Sequence, residues 1–359
     1  MARHDRERRH RTGRAAAAVL LLVLAACAPT FQPMGPPVAV ARLTEDAIVA
    51  SDGVALPLRR WMPDGPPRAV ILALHGFNDY SNAFDAPGRW FAARGIAVYA
   101  YDQRGFGRAP RPGIWAGADT MVADFEAAAA GVRARHRGVP FYVLGESMGG
   151  AVIMTALAGT PGPAPRPPDL QTAGAVTPLS GRAGAGGVAV DGVILSAPAV
   201  WATGTMPVLH RAALWVTRNT VPWLALTAPR ELNIWPSDNI EMLRALGRDP
   251  LVIKATRVDA VAGLTELMNR AFDAAGRLDG PPMLVMYGLN EQVIPKRPIA
   301  EVLSRLPRAM NRVAVYDTGW HMLLRDLNAE RVLTDVAAWI DDPAAPLPSG
   351  ADGRGWPGS

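Results

Sequence analysis

Only one cysteine is present, Cys27, so no disulfide can close within the chain. Long apolar runs are scarce too. A membrane-spanning helix needs roughly 20 apolar residues in succession, and the run nearest the start, Ala15 to Ala26, has twelve. A basic surface is also lacking, despite a formal net charge of +5. Six arginines before residue 15 stand against Asp5 and Glu7, a surplus of four that leaves the rest of the chain at +1. With no basic patch outside this leader, nucleic acid is not an expected partner. No internal repeat is found. What is there is 359 residues, 49% hydrophobic and 19% charged, enough for one large domain and a subdomain.

The Arg-rich start and the apolar run after it read as a secretory signal over residues 1–26. Leu24-Ala25-Ala26-Cys27 resembles the lipobox of bacterial lipoproteins. The resemblance implies lipidation of Cys27, which becomes the mature N-terminus, with the domain held by a membrane in the adjoining aqueous space. Ala28, not aspartate at that place, resembles sorting to the outer membrane of Gram-negative bacteria. Acyl chains contribute about 0.8 kcal/mol per buried CH₂, and more than one anchors stably. Ordinary cleavage beside an incidental cysteine is the alternative. The Pro-rich run over 27–37 then reads as a tether without regular structure.

Further on, apolar runs alternate with helical periods. Segments 38–42 and 54–61 are expected antiparallel strands; 69–74 is continuously apolar, as expected of a central strand covered on both faces, and 96–101, 141–144, 190–196, 283–287 and 312–316 are further expected strands of the sheet. Helices are expected over 82–94, 118–135, 151–157 and 298–306, with a last one carrying Leu333, Val336, Ala337 and Ile340. This alternation predicts an α/β fold with a doubly wound, mostly parallel sheet over 38–198 and 277–341. Residues 160–189, dense in Pro, Gly and Ala, predict a flexible surface insertion. The span 199–276 predicts an inserted helical cap, rich in Trp201, Met206, Leu209, Leu214, Trp215, Trp223, Leu224 and Trp235. Such side chains either line an acyl pocket or fill the cap's own core, and about half are assigned to core packing. Residues 342–359 predict a frayed tail.

The chemistry centres on Gly145-Glu146-Ser147-Met148-Gly149-Gly150, set between an expected strand and an expected helix. Gly-x-Ser-x-Gly in that context resembles the nucleophile elbow of α/β-hydrolases, with Ser147 as nucleophile. A serine hydroxyl needs a base to take its proton and a third group to orient the base. In the family order of serine, acid and histidine, His321 is the base and Glu291 the acid; aspartate is commoner there, and glutamate is an accepted substitute. Asp317 and Asp326 do not suit that order. The backbone N–H groups of Met148 and Phe77 are the expected oxyanion donors, each such donor typically worth about 2.7–4 kcal/mol of barrier. His75 is expected to be a structural hydrogen-bonder, and Asp102 and Arg104 to belong to a polar turn.

Together His75-Gly76, the turn from Asp102 to Gly107, the Ser147 motif, the loop from Gly288 to Pro295 and Gly319-Trp320-His321 match in order the α/β-hydrolase superfamily. The cap stretch Arg248-Asp249-Pro250-Leu251-Val252 is similar to its monoacylglycerol lipase and lysophospholipase-like branch. The resemblance implies hydrolysis of carboxylic esters of medium to long acyl chains through an acyl-enzyme, with a lipid ester as substrate and no metal or organic cofactor. Serine at the nucleophile position disfavours dehalogenase or epoxide hydrolase chemistry. A peptidase or acyltransferase on the same triad, and a non-catalytic lipid-binding envelope lipoprotein, are the competing readings. The oligomeric state is left open.

Overall fold

The computed structural model describes residues 28–159, 189–227, 233–278, 280–307, 311–354 and 356. Cys27, the leader, and all but the last residue of the insertion expected over 160–189 lie outside the described residues.

In chain order the strands are β1 (Arg42–Leu43), β2 (Ala47–Val49), β3 (Ala55–Trp61), β4 (Ala69–Leu74), β5 (Ile96–Tyr101), β6 (Phe141–Glu146), β7 (Gly192–Ser196), β8 (Ala225–Leu226), β9 (Thr256–Arg257), β10 (Met283–Gly288) and β11 (Asn311–Tyr316). The helices are α1 (Asp85–Ala92), α2 (Ala118–Arg135), α3 (Met148–Leu157), α4 (Val208–Thr220), α5 (Ile240–Arg248), α6 (Val258–Ala274), α7 (Lys296–Arg305) and α8 (Ala329–Asp341). Nine strands form one sheet in the order β1-β2-β3-β5-β4-β6-β7-β10-β11. From β5 to β11 every pairing is parallel, and β3 joins β5 antiparallel. The predicted doubly wound sheet is therefore present. Its first edge differs in detail, because the strand expected at 38–42 shrinks to the short hairpin of β1 and β2.

The two-residue period of a strand divides β4 between the faces. Val70, Leu72 and Leu74 join Phe125 of α2, Val152 of α3 and Leu267 of α6 in one apolar cluster. Ala69, Ile71 and Ala73 join Phe91 of α1 and Val336 of α8 in the other. Each Val, Leu, Ile or Phe buried in this way contributes about 1.5–3 kcal/mol, so both helical layers are bound strongly to the sheet.

Three segments depart from expectation. The run after Ala28 forms no helix or strand, as its prolines dictate, yet it lies along the domain instead of hanging free. Gln32 is buried, and its amide N–H and side chain donate to Trp115 O at 3.0 Å and Ile114 O at 2.6 Å. The tail is docked as far as the described residues run: Leu347 and Ala351 are buried, and Asp352 pairs with Arg312 of β11. The cap departs furthest: of the eight large apolar residues named above, Trp201 and Met206 are half-buried against the core cluster and Leu214 is half-buried, while the other five are exposed, Trp215 by 69%. The reason is that α4 has α6 as its main neighbour and keeps only Leu214 and Thr217 half-buried, while Val208, Leu209, Trp215 and Val216, gathered on one face of the helix, are exposed. The helix α6, inside the range expected for the cap, packs on α3 as part of the layer covering the sheet.

Candidate active site

Strand β6 ends at Glu146 and helix α3 begins at Met148, which leaves Ser147 alone at the turn with φ 51° and ψ −113°. That backbone region is costly for a residue with a Cβ, by about 1–3 kcal/mol. The neighbourhood enforces it: Ser147 N–H donates to Ser196 O at 2.9 Å, and Ser147 O accepts from Ala199 N–H at 2.9 Å. The flanking glycines allow the sharp bend. A Cβ on Gly145 would lie 2.4 Å from Gly150 N, and one on Gly149 would lie 2.2 Å from Leu74 O.

Two loops deliver the histidine and the acid. Gly288, the end of β10, lies against the loop after β11, where Asn290 N–H donates to Gly319 O at 3.0 Å. This contact brings Glu291 Oε2 to 2.6 Å from His321 Nδ1. The other carboxylate oxygen of Glu291 accepts from Val293 N–H at 2.5 Å and Ile294 N–H at 3.0 Å, fixing the side chain in the loop turn. Both residues are buried. Burial alone would lower the basicity of His321, but the Glu291 carboxylate outweighs it and holds the imidazole above its ordinary value. Nδ1 must carry its proton to face a carboxylate, which leaves Nε2 as the acceptor. Among the described residues no hydrogen bond joins Ser147 Oγ to His321. Such bonds commonly tighten only when substrate is bound.

Opposite the serine, Gly76 lies so close that a Cβ there would be 3.5 Å from Ser147 Cβ. The next residue, Phe77, is half-buried and meets Phe106 and Trp115 edge-on, with ring centroids 5.7 and 6.2 Å away. Among the described residues neither Phe77 N–H nor Met148 N–H has an acceptor within the protein, so both are available to an oxyanion. His75 is buried and its basicity is lowered, burial outweighing its neighbours. Its Nε2 accepts from Gln103 N–H at 3.0 Å, so the proton sits on Nδ1, 2.8 Å from Gly76 O. It braces the turn and is not placed to move protons. Arg104 is committed likewise, to Asp52 at 2.8 Å and Asp124 at 2.9 Å. Asp102 accepts the N–H groups of Ser81 and Arg108.

Sequence reasoning did not single out Arg325. It is 9% exposed and lies within 2.6 Å of Glu146 and 2.8 Å of Asp79. One guanidinium thus ties together the residue before Ser147, the loop after Gly76 and the segment carrying His321. Only its place four residues after His321, one helical turn on, hints at this in the sequence. The neighbouring Asp326 accepts from Trp320 N–H at 2.8 Å and from the Ser237 hydroxyl at 2.6 Å. Burial pushes its carboxyl up to about 6 against those hydrogen bonds. Asp317, by contrast, faces solvent and pairs with Arg331 and Arg354. Among the described residues no group of three or more His, Cys, Asp or Glu could hold a metal ion.

Among known proteins, the chain is 26% identical over 313 residues to a monoacylglycerol lipase of Mycolicibacterium smegmatis, covering 83% of this chain and 96% of that one. It is 24% identical over 309 residues to the monoglyceride lipase of Homo sapiens, covering 83% and 90%. In structure it resembles a soluble variant of the monoglyceride lipase of Saccharomyces cerevisiae solved with a substrate analogue, with a TM-score of 0.65 and 15% identity over 86% of this chain and 98% of that one. The monoacylglycerol lipase of Paleococcus ferrophilus gives a TM-score of 0.60 at 18% identity over 79% and 98%. The fold is thus that of the α/β-hydrolases. The family model described as serine aminopeptidase, S33, matches residues 65–328, and the chain belongs to that family.

Proposed function

We propose that the protein is a serine hydrolase cleaving carboxylic esters of medium to long acyl chains, of the monoacylglycerol or lysophospholipid type. Ser147 Oγ attacks the ester carbonyl while His321 Nε2 takes its proton, and Glu291 holds the imidazolium that forms. The N–H groups of Met148 and Phe77 receive the oxyanion. His321 returns the proton to the leaving alcohol, and a water repeats the sequence to release the fatty acid. The observation that carries this reading is the buried Glu291–His321 pair at 2.6 Å, on loops tied by Arg325 to the turn bearing Ser147. The monoacylglycerol lipases among its relatives and the apolar cap support a lipid ester as substrate. The family's own description supports a second reading, cleavage of amides on the same groups.

Fluorophosphonate labelling of wild type but not of Ser147→Ala tests the nucleophile. Chromogenic esters of rising chain length, run against aminoacyl amides, test the substrate class; the expected result is turnover rising from acetyl to medium and long chains. Activity confined to acetyl esters or to amides overturns it. The proposal extends to export and acylation at Cys27, supported by the leader and its Leu-Ala-Ala-Cys end. Tethering to the outer membrane, on its periplasmic side, belongs to the same reading. A Cys27→Ala protein is expected in the soluble fraction, and wild type recovered from the cytosol overturns the assignment.

A further inference from the structure

The residues between the leader and β1 lie along the domain as a strap fixed at successive points. Val38 N–H donates to Ser51 O at 2.7 Å, Gly35 N–H to Asp52 at 3.0 Å, Met34 N–H to Thr120 Oγ1 at 3.0 Å and Thr30 N–H to Asp259 Oδ2 at 3.0 Å. The strap gives only backbone donors at these points, which any residue but proline supplies. Gln32 differs, because its side chain is used. Its buried amide donates to Ile114 O at 2.6 Å and to Arg111 O at 3.4 Å, while its N–H donates to Trp115 O at 3.0 Å. One residue of the strap thus closes three carbonyls of the loop between Gly107 and α2.

That loop needs outside support. It has neither helix nor strand, and Arg111, at φ 52°, occupies the left-handed region that disfavours a Cβ. A Cβ on Gly105 would lie 2.4 Å from Ile114 O and 2.8 Å from Gln32 Nε2, so Gln32, the loop and the turn from Asp102 to Gly107 meet at one point. The loop carries Trp115 and the turn carries Phe106, the two rings that meet Phe77 edge-on. Trp115 is wedged against α6, where a Cβ on Gly263 would lie 2.3 Å from its ring. Only about 10 Å³ of free space is left among Phe77, Phe106, Ile114 and Trp115, so a shift of either ring is passed on to Phe77 and not absorbed. On the backbone, the turn bearing Phe77 is pinned at His75, through Gln103, and at Asn78, whose O accepts from Ile253 N–H at 2.9 Å. Between those points the Phe77 peptide can still rotate, and the packing of its ring sets the direction of its N–H.

We infer that Gln32 is a positioning residue for ester cleavage: by fixing the loop that carries Trp115 it holds the Phe77 ring, and so aims the Phe77 N–H at the oxyanion. The strap is then a working part of the hydrolase and not only a spacer after Cys27. The inference rests on the proposed role of Phe77 N–H as an oxyanion donor, and the test separates the two.

The full chain is compared with Gln32→Met, which keeps the length of the side chain and removes its donor. Active sites are counted by fluorophosphonate labelling run to completion, and turnover is followed on a medium-chain chromogenic ester. Per active site, kcat is expected to fall about 3- to 30-fold, less than the roughly 100-fold or more that follows outright loss of an oxyanion donor, with KM unchanged. A medium-chain trifluoromethyl ketone gives a second reading. Ser147 Oγ adds to its carbonyl carbon, the serine proton passes to His321, and the carbonyl oxygen becomes an oxyanion in the site. The ketone should bind Gln32→Met more weakly by the same factor. On top of Trp115→Phe, Gln32→Met should cost much less, because two residues acting through one contact are not additive. Wild-type kcat and ketone affinity in Gln32→Met overturn the inference. So do a raised KM at wild-type kcat, a loss confined to the number of active sites, and a full additive loss on top of Trp115→Phe. A wild type that the ketone does not inhibit has no oxyanion site, and the proposed function falls together with the inference. Equal inhibition of both proteins leaves that function standing and overturns the inference alone.

Discussion

Replacing Arg325 by methionine keeps much of the side chain's volume and removes its charge. It leaves Glu146 and Asp79, whose side chains are 3% and 7% exposed, facing each other's charge with no cation between them. Removing one partner of a buried ion pair costs about 3–5 kcal/mol, and here a single residue serves two partners. We expect the urea midpoint to fall by that order. The catalytic effect should be separable from it. Arg325 is the tie between the segment carrying His321 and the strand end carrying Ser147, and a displacement of about 1 Å at reacting groups costs about a hundredfold in rate. Assays run well below the unfolding midpoint should therefore show kcat reduced by one to two orders of magnitude, about 10- to 100-fold, with KM changed little. A second variant, Arg325→Met with Glu146→Gln, removes one of the stranded charges and should regain part of the stability, because contacting residues are coupled energetically. Wild-type midpoint and wild-type kcat in Arg325→Met would refute this account of the cluster.

Other expectations follow from the same contacts. Ser147→Gly should abolish turnover and fluorophosphonate labelling yet raise stability by about 1 kcal/mol, since glycine relieves the strained φ of 51°; a lower urea midpoint would count against strain at the turn. Glu291 holds His321 above its ordinary value, so the acid limb of kcat/KM should lie above the usual imidazole range and move downward in Glu291→Gln. The same shift has a stability consequence. Its contribution is complete below the unfolded value near 6.5 and is lost as pH rises through the raised folded value. The stability gap between wild type and Glu291→Gln should therefore narrow with rising pH across that window, as followed by urea unfolding. Gly288→Ala would set a Cβ 2.2 Å from Gly319 O, which should cost about 1–3 kcal/mol as overpacking and depress kcat by parting Glu291 from His321.

Much of the scaffold was legible because its signals are local. Short apolar runs bounded by turn residues, such as Ala69 to Leu74, read as strands covered on both faces, and β4, β5, β6 and β10 lie where those runs stand. The turn at Ser147 is legible for the same reason, since the steric need for small residues is written beside it at Gly145 and Gly149. Surface docking was not legible. The prolines of the run after Ala28 leave it without helix or strand and those of the tail allow it only the short 3-10 turn Ala351–Gly353, but side chains such as Gln32 and Leu347 are still captured by distant residues.

By itself, then, the sequence determined the strand–helix alternation, the parallel sheet and the residue types able to perform acyl transfer, because each depends on neighbours a few positions apart. Only the tertiary structure decided which oxygen of Glu291 meets His321, that Arg325 ties the end of β6 to two loops, and that Trp215, Trp223 and Trp235 of the cap are exposed while Trp201 packs against the core. Those outcomes depend on groups up to 246 residues apart, the separation of Asp79 and Arg325. The chain brings such groups together only after the sheet has fixed where every loop begins.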